Sequence, residues 1–169
     1  MGKQFRSLTC AAAALLLMAA TPSHAEVVAD WLAVAPKALS ASPRAQSGRA
    51  SVLANLAMFN ALNAITPRYT SYGPAVDPVP DASPDAAAAT AAFTVLSSVP
   101  GADQAALAKT LEESLKPVTD AAARAKGAAL GKRVAYALLA SRADDVFARV
   151  EPAKRDAAAG VYELTADHK

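Results

Sequence analysis

Apolar residues between Glu26 and Ala143 recur with helical rather than alternating spacing, in blocks separated by proline, glycine and serine. Val27, Val28, Trp31, Leu32 and Val34 predict a short first helix that Pro36 ends, with Trp31 docked on the main body. Ser42-Pro43 reads as an N-cap followed by Pro at the first helical position, opening a helix that runs to about Ile65 and stops before Thr66-Pro67. At ~100° per residue, Val52, Leu53, Leu56, Met58, Phe59, Leu62 and Ile65 spread over more than half of its circumference. That spread predicts a helix buried on most sides. Within it, Asn55, Asn60 and Asn63 each need hydrogen-bond partners if buried. Bonding from helix to loop, locking the next segment in place, is the expectation; a polar pocket is the alternative.

Residues 66–83, TPRYTSYGPAVDPVPDAS, carry four prolines and one glycine and exclude a regular element. An ordered surface loop pinned by Tyr69 and Tyr72 is expected there. Arg68 has no second convergent cation nearby in sequence, so a solvated or ion-paired side chain outweighs an anion site. Ser83-Pro84-Asp85 opens another helix through a cap, a proline and an acid favourable to the N-terminal dipole, and Pro100-Gly101 breaks it after Phe93, Leu96 and Val99. Leu107, Leu111, Leu115 and Val118 then mark an amphipathic helix from Asp103 to about Lys116, with Glu112, Glu113 and Lys116 on its solvated side.

A last long helix is expected from about Asp120 to Ala143, capped by Thr119. Gly127 and Gly131 lie four apart in it, with Ala123 and Ala135 extending the row. A mid-helix glycine costs ~1 kcal/mol relative to alanine, so two in register predict that another helix passes very close. Arg124, Lys126, Lys132, Arg133 and Arg142 exclude a membrane span for this G-x-x-x-G segment. Beyond Asp144 the apolar period fades, and Gly160 to Thr165 reads as an extended segment. The fold class expected is all-α: an antiparallel bundle of four to five helices over residues 26–145, an incomplete part of a larger helical domain, followed by an irregular segment at 146–169.

The first 25 residues stand apart. Lys3 and Arg6 precede an apolar run from Leu8 to Ala20, and Ser23-His24-Ala25 places small residues at −3 and −1 of a cut before Glu26. This is the pattern of a signal peptide cleaved after Ala25, and it predicts an exported protein, periplasmic or secreted. Removing it takes away two of 17 basic residues and leaves 15 against 15 acidic ones, so no general basic footprint for nucleic acid or anionic lipid remains. It also removes Cys10, the sole cysteine, and with it any disulfide or thiolate site. In residues 26–169, Leu, Val, Ile and Phe make up about 21%, near the level at which chains fail to fold alone. With 46 alanines in the chain, the core must be built from close Ala-rich seams.

The segments MFNALNAITPRYTSYG (58–73), SPDAAAATAAFTVLSSVP (83–100) and AKGAALGKRVAYALLASRADD (125–145), in this order, resemble the N-terminal helical region of bacterial vanadium-dependent haloperoxidase-like proteins. Their superfamily includes type 2 phosphatidic acid phosphatases and class A acid phosphatases. The resemblance covers roughly residues 27–165. It implies a helical bundle whose pocket binds phosphate or vanadate through a Lys, two Arg and a pair of His, all in a C-terminal half with Pro-Ser-Gly-His and Arg-x-x-x-Gly-x-His motifs. Neither motif occurs here. Where relatives often carry His, this chain has Phe93, and after the leader its lone His is His168. No catalytic, cofactor-binding or metal-ligating residue is therefore assigned, and vanadate or phosphate would be bound by the half that this chain lacks. Glu112-Glu113 and Asp144-Asp145 do not substitute, because adjacent residues on a helix diverge by ~100°.

Two functions follow. One is an exported scaffold of a haloperoxidase/acid-phosphatase-like protein, inactive alone, whose partner is a complementary C-terminal catalytic chain or a second copy. The other is a small periplasmic helical module that binds a partner through the Gly127/Gly131 seam and the Val52 to Ile65 helix.

Overall fold

The computed structural model describes residues 24–145. Residues 1–23 of the expected leader, the stretch 160–165 expected to be extended, and His168 lie outside the described residues. The described part consists of α1 (His24–Ala38), α2 (Arg44–Ile65), α3 (Pro84–Ser97), α4 (Gln104–Leu115) and α5 (Ala121–Ser141), joined by turns and one long loop, with no strand among the described residues. An all-α architecture of about five helices is as the sequence predicts. The expected cleavage point after Ala25 falls in the first turn of α1.

The helix starts follow local chemistry. Ser83 caps α3 by accepting from the Ala86 N–H, with Pro84 at the first helical position, and Asp103 caps α4 by accepting from Ala106. Three expected boundaries are corrected. Asp120, not Thr119, caps α5, because its carboxylate accepts from both Ala122 and Ala123 N–H groups. Ser42 does not cap α2. Pro43 occupies the cap position, and the Ser42 hydroxyl instead donates to the Pro100 carbonyl at 2.9 Å, tying the start of α2 to the α3–α4 turn. Pro36 does not end α1, which continues to Ala38. The carbonyl that Pro36 cannot serve is that of Leu32, on the exposed side of α1, so the missing bond faces solvent.

The core is organised around α3. Ala86 to Ala89, Ala91, Ala92, Val95 and Leu96 are fully buried, and each of the other four helices packs against α3. From Ala50 onward α2 is buried on most sides, as expected: Leu53, Met58, Ile65 and a row of five alanines, Ala50, Ala54, Ala57, Ala61 and Ala64, lie inside, and only a narrow stripe with Val52 and Phe59, seven residues apart, faces out. The alanine row has a steric reason. Alanines at spacings of four and three let α2 lie closer to the Ala-rich α3 than bulky side chains would allow, and close packing favours that arrangement. Trp31 docks as expected, buried to 1% exposure with its indole N–H donating to Ser114 Oγ at 3.2 Å.

The predicted close neighbour of the glycine row is α3. A Cβ on Gly127 would sit 2.5 Å from the Ser83 carbonyl oxygen and 2.9 Å from Ala86 Cβ. One on Gly131 would run into the Ala87 carbonyl oxygen and lie 2.9 Å from the Ala91 nitrogen. A backbone bond from the Ser83 N–H to the Ala123 carbonyl at 2.9 Å continues the same contact. As α5 advances from 123 to 131, its partner in α3 advances from 83 to 91, so this closest pair runs parallel within a bundle expected to be antiparallel. The hairpin between them, through α4, supplies the reversal that makes a parallel pair possible. Gly101 in that hairpin has φ +81°, a conformation that glycine alone adopts without strain, and a side chain there would press on the Ala41 carbonyl at 3.3 Å.

Candidate functional site

The polar residues of α2 resolve first. Asn63 accepts from the Arg68 and Tyr69 backbone N–H groups, each at 3.0 Å, and donates to the Tyr69 carbonyl at 2.7 Å. Asn60 accepts from the Tyr72 N–H at 3.0 Å and returns a bond to its carbonyl at 2.7 Å. Both amides are buried, so each side chain satisfies backbone groups that would otherwise be orphaned beneath the loop. The helix-to-loop reading holds for these two. Asn55 is half-buried and takes no part in the lock.

This lock presents aromatic rings. Tyr69 stacks at a tilt on Phe59, their centroids 6.1 Å apart, and Tyr72 lies beneath the Arg142 guanidinium at 5.6 Å. Arg142 arrives there because the C-terminus of α5 is clipped to α2: Arg49 donates to the Arg142 carbonyl at 2.7 Å and to the Asp145 carboxylate at 3.1 Å. Val52, Phe59, Tyr69 and Tyr72 are 59%, 37%, 69% and 51% exposed, Phe59 meeting Tyr69 and Val52 lining the same surface groove as Tyr72. No Asp, Glu, Lys, Arg or His occurs between Arg49 and Arg68. A helix face that is solvated along its whole length ordinarily carries charge, so this one has the character of an interface: aromatic and aliphatic in the centre, arginine at the edge.

Other sequence candidates are placed elsewhere. The Gly127/Gly131 seam is filled by α3 and offers no docking surface, a correction to the expected binding role; the same backbone proximity that calls for glycine closes the seam. Glu113 faces Lys109 and Glu112 faces Lys116, so the two carboxylates do point apart into solvent-exposed pairs. The loop uses the backbone N–H of Arg68, while its side chain is exposed. Phe93 packs half-buried against the core. Among the described residues no group of His, Cys, Asp and Glu could hold a metal ion, and no helix is long and apolar enough to cross a membrane. The expectation that Tyr69 and Tyr72 pin the loop is corrected: Asn60 and Asn63 hold their backbone groups, and the rings are turned outward by that lock. The chain matches no family model, no curated protein and no solved structure.

Proposed function

We propose that this chain is an exported helical scaffold that works by docking a partner protein on the outer face of α2 and its locked loop. The observation that carries this reading is the charge-free, half-exposed face of Val52, Phe59, Tyr69 and Tyr72, held rigid by Asn60 and Asn63. Rigid aromatic anchors lose little conformational entropy on binding and dominate interface energetics. The edge residues Arg68 and Arg142 favour a partner whose apolar centre is bordered by carboxylates.

A second reading, that the partner is the catalytic half of a haloperoxidase/acid-phosphatase-like protein, is supported by one specific feature. The three segments that carry the resemblance are not scattered. They comprise the end of α2 with its loop, all of α3, and most of α5, which pack on one another as one side of the bundle.

Site-specific photocrosslinking in the native host tests the docking face. A photoreactive residue at Val52 or Phe59 is expected to give a discrete adduct, and one at the exposed Arg124 none. Absence of adducts at Val52, Phe59 and Tyr72 alike would sink the proposal. Mass spectrometry of the adduct separates a second copy from a different chain, and a Pro-Ser-Gly-His motif in that chain would establish the second reading.

A further inference from the structure

Three helix ends meet at one end of the bundle. The parallel run of α5 along α3 brings their C-termini together, and the bond from Ser42 to the Pro100 carbonyl holds the start of α2 beside the same turn. Between them lies a cleft of ≈ 340 Å³. Leu53 and Val99 form its base, and the half-buried Leu139 and the exposed Pro100 and Ala143 give it an apolar surface that solvent reaches. Its polar groups are already engaged. The Ser98 hydroxyl donates to the Val95 carbonyl at 2.6 Å, and Arg49 donates to the Arg142 carbonyl and the Asp145 carboxylate. What remains to be filled is therefore apolar.

The course of the chain says what can fill it. Asp145, the last described residue, itself lines the cleft, pinned there by Arg49 at 3.1 Å. The next residues in the sequence are Val146, Phe147, Ala148, Arg149 and Val150. At no more than ~3.6 Å per residue, Phe147 stays within about 7 Å of the cleft wall. A side chain tethered this closely has an effective concentration far above that of a separate chain, and a phenyl ring has a large apolar surface to bury. Val161, Tyr162 and Leu164 form a second bulky run, but the intervening residues dilute it.

We propose that residues 146–150 turn back over this cleft and cap the end of the bundle, with Phe147 seated on Leu139 and Val99 beside Pro100. Val52 and Tyr72 line a different groove, which shares Arg49, Leu53, Arg142 and Asp145 with this one, so the cap leaves the outer face of α2 open and does not depend on a partner there.

Nuclear Overhauser effects in the isotopically labelled full chain test this without altering the sequence. Contacts are expected from the Phe147 ring to the methyl groups of Val99 and Leu139 and to the Pro100 ring, and they should vanish in an isotope-filtered experiment on mixed labelled and unlabelled chains. Thermal melts give a second measure. Phe147→Ala should lower Tm by about 5 °C, Phe147→Leu by less than half as much, and Tyr162→Ala by no more than about 1 °C. Absence of the Phe147 contacts, or contacts to the cleft from Tyr162 or Leu164 in their place, would overturn the proposal. So would contacts that survive the filter, which would make the occupant a second copy, or a Phe147→Ala protein that melts with the parent.

Discussion

Substituting alanine for Gly131 tests the central packing contact with an unusually clear sign. In an exposed helix interior the exchange is favourable by about 1 kcal/mol, because glycine loses more backbone freedom on folding. Gly48, exposed in α2 with open space where its Cβ would lie, provides that reference within the same protein. At Gly131 the new methyl group meets the Ala87 carbonyl oxygen and, at 2.9 Å, the Ala91 nitrogen. These are backbone atoms of the helix that all the others grip, so no side-chain rotation relieves the overlap. Overpacking costs about 1–3 kcal/mol where a site can adjust, and a backbone contact this close belongs at or above the upper end. Set against the ~1 kcal/mol gain in propensity, the net is about 2 kcal/mol of destabilisation. At ~2.1 cal/mol/K per residue over residues 24–145, that lowers Tm by about 8 °C, while Gly48→Ala raises it by about 4 °C. Circular dichroism melts and urea titrations of both variants give the comparison. A Gly131→Ala protein that melts at or above the parent would refute the close α3–α5 seam.

Three further outcomes follow from the hydrogen bonds. Asn63→Ala orphans the Arg68 and Tyr69 N–H groups, so it should cost about 2–3 kcal/mol and expose residues 66–80 to limited proteolysis, whereas Asn55→Ala should stay within ~0.5 kcal/mol. Asp120→Ala should lower stability by about 1 kcal/mol through loss of the α5 cap and Thr119→Ala by almost nothing; the reverse order in denaturant titrations would contradict the cap assignment. Asp145→Asn removes a partly exposed ion pair with Arg49, so its cost should be at most ~1 kcal/mol and shrink as salt is raised; a larger loss that salt leaves unchanged would show that the clip is not electrostatic.

What the sequence determined by itself is the local layer of this protein. Ser83-Pro84-Asp85, Pro100-Gly101 and the four-residue spacing of Gly127 and Gly131 each act through backbone geometry or a cap within a few residues, and such effects need no distant partner to be read. Asn60 and Asn63 were legible for the same reason, as they reach only 12 and 6 residues along the chain. Only the tertiary structure decided which faces are inside. Bulky apolar residues ordinarily mark the buried side of a helix, but in α2 five alanines share the inside with Leu53, Met58 and Ile65, while Val52 and Phe59 are left outside. A methyl group carries little hydrophobic signal in a sequence, yet five of them in register admit a second helix at close range, and that gain depends on a partner surface equally small.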